Sequence, residues 1–221
     1  MTFLVEYQPD SLWYETSLSI AAESLTDGVK TQYHCFIYDP PRVRESLQRL
    51  GADPRQKEHS GLLVIFDSYT PQIGIGAPEW PDQVTSRSLK TSDWSIAVGQ
   101  EIKRVHDDSP MDEHLHIDDS FSVLLQYNDE KSVIDLVRTR SLPMTRSSKR
   151  LWFLSLATGI ASESFYRQLE LLCDGILDFK SEESDGERAH YVRVRTIRGK
   201  PFDSRWRELQ VSEDGQVTFV E

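Results

Sequence analysis

The sequence is poor in cysteine and contains no long apolar run. Cys35 and Cys173 are the two cysteines among its 221 residues, and both lie in apolar segments without a C-x-x-C partner. We therefore expect two buried, reduced thiols rather than a disulfide or a metal site. No segment approaches the roughly 18 apolar residues that span a bilayer, and the N-terminus lacks a basic region followed by an apolar stretch. These absences favour a cytoplasmic protein without a membrane anchor.

Basic residues are also in short supply. The chain has 25 Lys and Arg against 36 Asp and Glu, which gives a formal net charge of −11. Such a chain repels nucleic acids and anionic membranes unless a local basic patch overrides the overall field. The charge balance therefore argues against nucleic acid and membrane as partners and favours another protein.

Short apolar segments alternate with helical patterns along the first 180 residues. The predicted strands are 2–6, 33–38, 62–67, 114–119, 151–157 and 174–180. The predicted helices are 15–27, 41–50, 92–105, 129–141 and 162–172. This alternation is typical of an α/β protein with a mainly parallel sheet flanked by helices.

Further along, the segments 189–197, 206–211 and 216–220 alternate apolar and polar residues, with turns between them. That pattern predicts antiparallel strands. We therefore predict a single domain over 1–221, with an α/β core over 1–180 and a C-terminal β-hairpin extension over 181–221.

Four segments carry motifs in a fixed order: 6–25, 61–74 (GLLVIFDSYTPQIG), 116–140 and 173–211. In this order they resemble one domain of the KaiC family of RecA-like ATPases, of the archaeal KaiC and RadA type. The first segment matches the family's phosphate-binding loop and the helix after it without a gap. The resemblance implies a RecA-like P-loop NTPase fold over nearly the whole chain.

The residues that bind phosphate in this family are replaced here. Tyr7, Asp10 and Leu12 stand at the glycine positions of the loop, Trp13 at the Lys position and Tyr14 at the Ser/Thr position. A P-loop needs glycines because its backbone N–H groups converge on phosphate, and it needs the Lys and the hydroxyl for phosphate and Mg²⁺. No G-x-x-x-x-G-K-[ST] motif occurs elsewhere. We therefore predict a degenerate Walker A motif whose aromatic rings fill the former phosphate site or face a partner.

Two further positions of the resemblance carry carboxylates. Asp118 and Asp119 match the Walker B strand, and Tyr38 and Asp39 stand where the family has its catalytic Glu pair. Mg²⁺ usually relies on substrate oxygens as well as carboxylates, so we expect a strand-end structural role for the aspartate pair. Asp39 is expected to shape the turn into the next helix, although orienting a water molecule is also open to it.

The resemblance implies a hairpin that reaches a neighbouring subunit's nucleotide. Its family Lys is replaced by Thr196, whereas its Arg is kept as Arg198. The basic residues of this region are Arg193, Arg195, Arg198, Lys200, Arg205 and Arg207. They form either a solvated face paired with Glu182, Glu183 and Glu187 or an interface with an acidic partner.

Three histidines lie close together in the sequence. They are His106, His114 and His116, near Asp107, Asp108, Asp112 and Glu113. A His-x-His pair on a strand places both rings on one face and is able to bind zinc. Because no fourth ligand is evident, we expect an acidic loop and no metal. No G-x-S-x-G motif is present, and we predict no catalytic residues.

These observations favour a pseudo-ATPase without cofactor that regulates or scaffolds a protein partner, such as a related active ATPase or a signalling protein. Two alternatives remain. One is a protein that still binds ATP and Mg²⁺ weakly or hydrolyses ATP slowly, using Asp39, Asp119 and Arg198. The other is a recombination-mediator paralogue that binds DNA through Arg198 and Arg205.

The loss of the loop also predicts the assembly state. RecA-like rings bind nucleotide at the subunit boundary, so a chain without nucleotide lacks that bridging ligand. We expect a monomer or small homo-oligomer in light scattering of the purified protein. A stable hexamer in the absence of ligand would contradict this expectation.

Overall fold

The computed structural model describes residues 1–73, 84–85, 89–93, 113–146, 150–184 and 186–220. Ten strands lie within these residues: β1 (Thr2–Tyr7), β2 (Lys30–Cys35), β3 (Leu63–Asp67), β4 (Val84–Thr85), β5 (His114–Asp118), β6 (Arg150–Ala157), β7 (Gly175–Ser184), β8 (Glu187–Ile197), β9 (Arg207–Val211) and β10 (Val217–Phe219). The helices are α1 (Trp13–Thr26), α2 (Pro40–Arg49), α3 (Pro54–His59), α4 (Thr70–Ile73), α5 (Glu130–Leu136), α6 (Leu142–Arg146) and α7 (Glu163–Leu172). A 3₁₀ helix spans Phe121–Gln126, and a π-helical turn, Val137–Ser141, joins α5 to α6.

All ten strands form one sheet, in the order β10, β9, β8, β7, β1, β6, β5, β2, β3, β4. The strands from β7 to β4 pair in parallel. The strands β7 to β10 pair antiparallel. This confirms the predicted α/β class, with a mainly parallel sheet and a C-terminal antiparallel extension. β7 runs through residue 180, where we placed the division between core and extension.

Both faces of the sheet are covered. One face packs Leu4, Phe66 and Trp152 with residues of α5 and α7. The other packs Val5 and Tyr33 with residues of α1 and α2. Burial on both faces explains why the central strands read as continuous apolar runs in the sequence.

Short polar side chains set the starts of several helices. Asp39, Asp53, Asp129 and Ser162 each accept a hydrogen bond from a backbone N–H in the first turn of the helix that follows. Such caps satisfy N–H groups that have no partner within the helix. The caps of α2 and α3 are each followed by proline, which suits the first helical position.

Most predicted elements lie within a few residues of the observed ones, but some differ. β2 begins and ends three residues before the predicted strand 33–38. The predicted helix 129–141 continues through the π-helical turn into α6, and the short elements α3, α4 and β4 were not predicted. The predicted helix 92–105 lies almost wholly outside the described residues. Among the described residues, no helix is long and apolar enough to cross a membrane.

Gly175 is the first residue of β7, and it pairs with Phe3 of β1. A Cβ placed on Gly175 would lie 2.3 Å from Cε1 of Phe3. The Phe3 ring is itself held against Phe153, with ring centroids 5.9 Å apart. The glycine therefore makes room for a ring that packs over the sheet.

We expect Gly175→Ala to lower the free energy of unfolding by about 1–3 kcal/mol, the usual cost of overpacking. In a Phe3→Ala background the same change should cost much less, because the clashing ring is gone. Urea unfolding of the four proteins in this double-mutant cycle measures the coupling. Equal costs in both backgrounds would show that the Phe3 ring is not the obstacle.

Candidate functional site

A cleft of about 750 Å³ lies at the carboxyl ends of the parallel strands. This edge is where α/β proteins usually bind ligands, because the loops that leave the strands meet there. Four segments line it: the loop between β1 and α1, the turn between β2 and α2, the segment after β5, and the end of β6. The lining residues are Tyr7, Pro9, Asp10, Ser11, Leu12, Trp13, Tyr14, Glu15, Ile37, Tyr38, Asp119, Ser120, Ser122, Val123, Leu125, Gln126, Ala157 and Ile160. The structure thus brings together Tyr38, Asp119 and the residues that the resemblance aligns with the Walker A loop.

The loop between β1 and α1 is tied to itself and to β7. The Ser11 N–H donates to the Gln8 carbonyl at 2.9 Å, and the Gln8 N–H donates to the Phe179 carbonyl at 3.0 Å. The Gln8 side chain accepts a hydrogen bond from the Ser181 N–H at 2.8 Å. The Ser11 N–H, which a phosphate-binding loop would turn towards its ligand, is therefore used within the loop.

Trp13 lies at the base of the cleft and is almost wholly buried. Its side chain is 1% exposed, and its Nε1 donates to the Asp119 carbonyl at 3.0 Å. The indole meets the edge of the Phe179 ring at a centroid distance of 5.4 Å. The residue that the resemblance aligns with the P-loop Lys thus belongs to the hydrophobic core.

Tyr7 is buried beside Trp13. Its hydroxyl donates to Ser120 Oγ at 2.6 Å. Burial is the largest influence on this hydroxyl and raises its pKa to about 12, so the phenol is neutral at neutral pH. We expected Tyr7, Trp13 and Tyr14 to pack into the former phosphate site or to face a partner. Tyr7 and Trp13 are buried in the core beneath the cleft, and Tyr14 lines the cleft.

Tyr14 and Tyr38 form one wall of the cleft. Their ring centroids lie 3.7 Å apart, and the Arg42 guanidinium lies 4.4 Å from the centre of the Tyr38 ring. A cation over an aromatic face is attracted by the ring's negative centre. Burial raises the pKa of Tyr14 well above its usual range, so this wall carries no phenolate. The adjacent Asp39 accepts from the Arg42 N–H at 3.2 Å and caps α2.

Asp119 holds the turn that follows β2. Its Oδ1 accepts the Phe36 N–H at 2.8 Å, and its Oδ2 accepts the N–H groups of Ile37 and Tyr38 at 3.2 Å and 3.3 Å. Burial raises the pKa of Asp119 to about 7, while these amides act in the opposite direction. Backbone N–H groups therefore bind both carboxylate oxygens of Asp119, the residue that the resemblance aligns with a Walker B acid. The same contacts end β2 at Cys35, which explains why this strand stops before residue 38.

Asp118 lies on the face of the sheet that packs Trp152, whereas Tyr7 and Trp13 lie on the other face. Its Oδ2 accepts the Trp152 Nε1–H at 2.8 Å, and its Oδ1 lies 3.1 Å from His34 Nδ1 and 3.3 Å from His116 Nε2. Burial alone would raise the pKa of Asp118, but the two imidazoles hold it well below its usual range. Burial and the neighbouring His34 lower the pKa of His116 to about 4.

His114 and His116 are buried on one face of β5, as the predicted strand 114–119 and the His-x-His spacing indicated. His34 was missed, because a single histidine in β2 gives no pattern until the register places it opposite Asp118. His106 and the acidic residues Asp107, Asp108 and Asp112 lie outside the described residues.

The basic hairpin is largely paired within the chain. Arg195 contacts three carboxylates: Glu6 at 2.7 Å, Glu170 at 2.6 Å, and Asp178. Arg193 also pairs with Asp178, at 2.7 Å. These partners differ from Glu182, Glu183 and Glu187, which the sequence suggested. Carboxylates of β1, α7 and β7 thus neutralise the charges of Arg193 and Arg195.

The remaining basic residues of the hairpin have local roles. Arg198 donates to the Glu170 and Leu171 carbonyls at the end of α7, where a cation suits the helix terminus. Arg205 and Arg207 both pair with Asp203. The Lys200 ammonium lies 4.0 Å from Met1 Sδ, near the amino end of β1 and therefore at the opposite end of the strands from the cleft.

The cleft itself is acidic. Its described lining contains three carboxylates, those of Asp10, Glu15 and Asp119, and no Lys or Arg. A nucleotide's phosphates need cations or converging backbone N–H groups for binding. The described lining of the cleft contains neither a P-loop Lys nor a glycine cradle, and its Glu15 and Asp10 carboxylates do not favour a polyanion.

No protein-family model and no curated protein matches the sequence. The structure is similar to the KaiC-like protein PH0186 of Pyrococcus horikoshii OT3, with a TM-score of 0.75 and 12% identity, over 100% of this chain and 89% of that one. It is also similar to the uncharacterized protein PH0321 of Pyrococcus horikoshii, solved in complex with an unknown peptide, with a TM-score of 0.79 and 13% identity, over 99% of this chain and 91% of that one. These likenesses confirm the predicted KaiC-like and RecA-like fold.

The Arg195 cluster yields a stability prediction. Arg195→Ala leaves Glu6, whose side chain is only 11% exposed, without the arginine that pairs with it, whereas Asp178 keeps Arg193. We expect a loss of about 2 kcal/mol in the free energy of unfolding, because the Glu6 carboxylate is left in a poorly solvated site without its cation.

Arg188→Ala is the matched control, because this arginine pairs with Asp10 and Glu183 at the surface. Exposed ion pairs contribute about 0–1 kcal/mol, so chemical denaturation should separate the two variants. A loss for Arg195→Ala no larger than for Arg188→Ala would refute the idea that Arg195 ties the extension to the core.

Proposed function

We propose that this chain is a RecA-like protein that has exchanged nucleotide hydrolysis for protein binding and acts as a regulator or scaffold. The observation that carries the proposal is the chemistry of the cleft. Its lining holds three carboxylates and no described Lys or Arg, and both oxygens of Asp119 already accept backbone hydrogen bonds. Such a site disfavours phosphate and Mg²⁺ but leaves about 750 Å³ for another occupant.

The rim of the cleft suits a segment of protein. Ile37 and Ile160 are 42% and 48% exposed and stand on different loops across the opening. Exposed apolar side chains around a concave site favour partner binding. PH0321, which has the same fold, was solved with a peptide, and this adds support for a peptide as the class of ligand.

The charge of the cleft and of the whole chain indicates which kind of partner segment would bind. Asp10 and Glu15 lie at the cleft opening, and the whole chain carries a net charge of −11. Complementary charge favours and speeds association. We therefore propose that the partner segment combines apolar or aromatic side chains with Arg or Lys.

The DNA-binding alternative is weakened by the pairing of the hairpin. Arg193 and Arg195 are engaged by Glu6, Glu170 and Asp178, so few of their donors are left for phosphates. Residual ATP binding is weakened by the absence of cations from the described cleft lining.

The first test is a calorimetric titration with Mg²⁺-ATP at millimolar concentration. We expect no heat of binding and an unchanged melting temperature, because a ligand stabilises a protein only if it binds the native state. Saturable binding at one nucleotide per chain would contradict the proposal and restore the nucleotide-binding alternative.

The second test selects peptides from a random phage-displayed library on the immobilised full-length protein. We expect enrichment of sequences that combine Arg or Lys with aromatic or aliphatic residues. Binding of a selected peptide should fall at least tenfold in an Ile37→Asp, Ile160→Asp double variant, because two apolar contacts become charged.

Leu171→Asp is the matched control. Leu171 is 70% exposed and lies at the end of α7, away from the cleft, so peptide affinity should be unchanged. Enrichment of acidic peptides, or equal affinity of the double variant and the wild type, would reject the cleft as the binding site.

A further inference from the structure

A second polar site lies against the centre of the sheet, on the face that packs Trp152 and not on the face that packs Tyr7 and Trp13. β2 and β5 pair in parallel, with His34 opposite Asp118 and Gln32 opposite His116. Because side chains alternate along a strand, His34, His116 and Asp118 all project from the same face. The three side chains are almost completely buried. Gln32, His114 and Arg150 are buried on the same face by the strand register, so the two imidazoles and the carboxylate lie in a polar patch within a largely apolar face.

The spacing of the three groups matches metal coordination. Asp118 Oδ1 lies 3.1 Å from His34 Nδ1 and 3.3 Å from His116 Nε2, and all three atoms lie within 4.8 Å of one another. Bonds of about 2.0–2.1 Å to a tetrahedral zinc ion separate ligand atoms by about 3.4 Å. A modest rotation of the imidazole rings would therefore complete three corners of a tetrahedron.

The surroundings orient the carboxylate. Trp152 Nε1 donates to Asp118 Oδ2 at 2.8 Å, which leaves Oδ1 directed towards the two imidazoles. Ser155 Oγ donates to the Asp118 carbonyl at 2.7 Å and fixes the backbone at the same residue. Supporting hydrogen bonds of this kind are usual around metal ligands, because they fix the orientation of the ligand group. Trp152 thus acts as a positioning residue.

We propose that His34, His116 and Asp118 form a binding site for one divalent transition-metal ion, with Zn²⁺ as the best fit. Two imidazole nitrogens and one carboxylate oxygen suit zinc. Mg²⁺ and Ca²⁺ are poorer fits, because both prefer oxygen ligands. The ion would join β2 to β5 from within the sheet and offset the charge of a buried carboxylate. This site is independent of the cleft and of the function proposed for it.

The competing arrangement uses the same three residues without metal. In it, the two imidazoles and the Trp152 indole all donate hydrogen bonds to the Asp118 carboxylate. Both arrangements satisfy the carboxylate, so metal binding itself must be measured.

The full chain is unfolded in denaturant with a chelator and refolded with one equivalent of Co²⁺, because a buried site exchanges slowly. We expect visible absorption bands of tetrahedral Co²⁺ that disappear on adding Zn²⁺. Elemental analysis should find one zinc per chain, and zinc should raise the melting temperature. Absence of both the Co²⁺ bands and bound zinc would overturn the proposal in favour of the metal-free network.

Four variants locate the site. His116→Asn and Asp118→Asn should each weaken metal binding at least tenfold, and Trp152→Phe should weaken it by about 10–100-fold. His114→Asn is the control, because His114 is buried on the same strand two residues away and should leave the Co²⁺ bands unchanged.

Circular dichroism of each metal-free variant reports whether it folds. A variant that fails to fold is replaced by His34→Gln, which removes a ligand from the other strand. Equal loss of metal in His114→Asn and His116→Asn, or metal binding unaffected by any of these changes, would show adventitious binding to histidine and contradict the assigned site.

Discussion

The carboxylate of Asp119 holds together the part of the molecule on which the cleft depends. It accepts the backbone N–H groups of Phe36, Ile37 and Tyr38, and its own carbonyl accepts the Trp13 indole N–H. One residue therefore joins the turn after β2, the start of α1 and the end of β5. Because N–H groups buried without partners are costly, these contacts fix the turn and place Ile37 and Tyr38 at the cleft.

The same contacts support the proposed loss of nucleotide binding. A nucleotide site needs its acid free to support Mg²⁺ and its loop N–H groups free for phosphate. Here the acid is engaged by main chain, Trp13 has entered the core, and the loop is tied back through Gln8 and Ser11. The fold is RecA-like. The residues that the resemblance aligns with nucleotide-binding positions pack in the core or hold backbone groups, beside a cleft that is partly apolar.

The sequence predicted the central strands well, because burial on both faces leaves continuous apolar runs such as residues 63–67. It misplaced β2, because that strand is ended by Asp119, a residue more than 80 positions away in the chain. The resemblance identified Tyr7, Trp13 and Tyr14 as altered loop residues. It could not show that Trp13 turns into the core while Tyr14 lines the cleft, since this depends on the packing of Phe179 and Phe153 around the indole.

Contacts that depend on the pairing register of the strands could not be predicted from the sequence either. His34 lies opposite Asp118 only once β2 and β5 are paired, and Arg195 reaches Glu6 only once β7 lies between β1 and β8. Composition located the basic residues of the hairpin, but their partners come from strands and helices far away in sequence.

We propose that the cleft binds a protein segment and does not bind nucleotide. Backbone amide chemical shifts, recorded during parallel titrations with a library-selected peptide and with Mg²⁺-ATP, test this at the residues concerned. We expect the peptide to shift the amides of residues 10–15, 37–38 and 157–160, and Mg²⁺-ATP to leave them unchanged. Saturable shifts of the same amides with Mg²⁺-ATP and none with the peptide would contradict the claim.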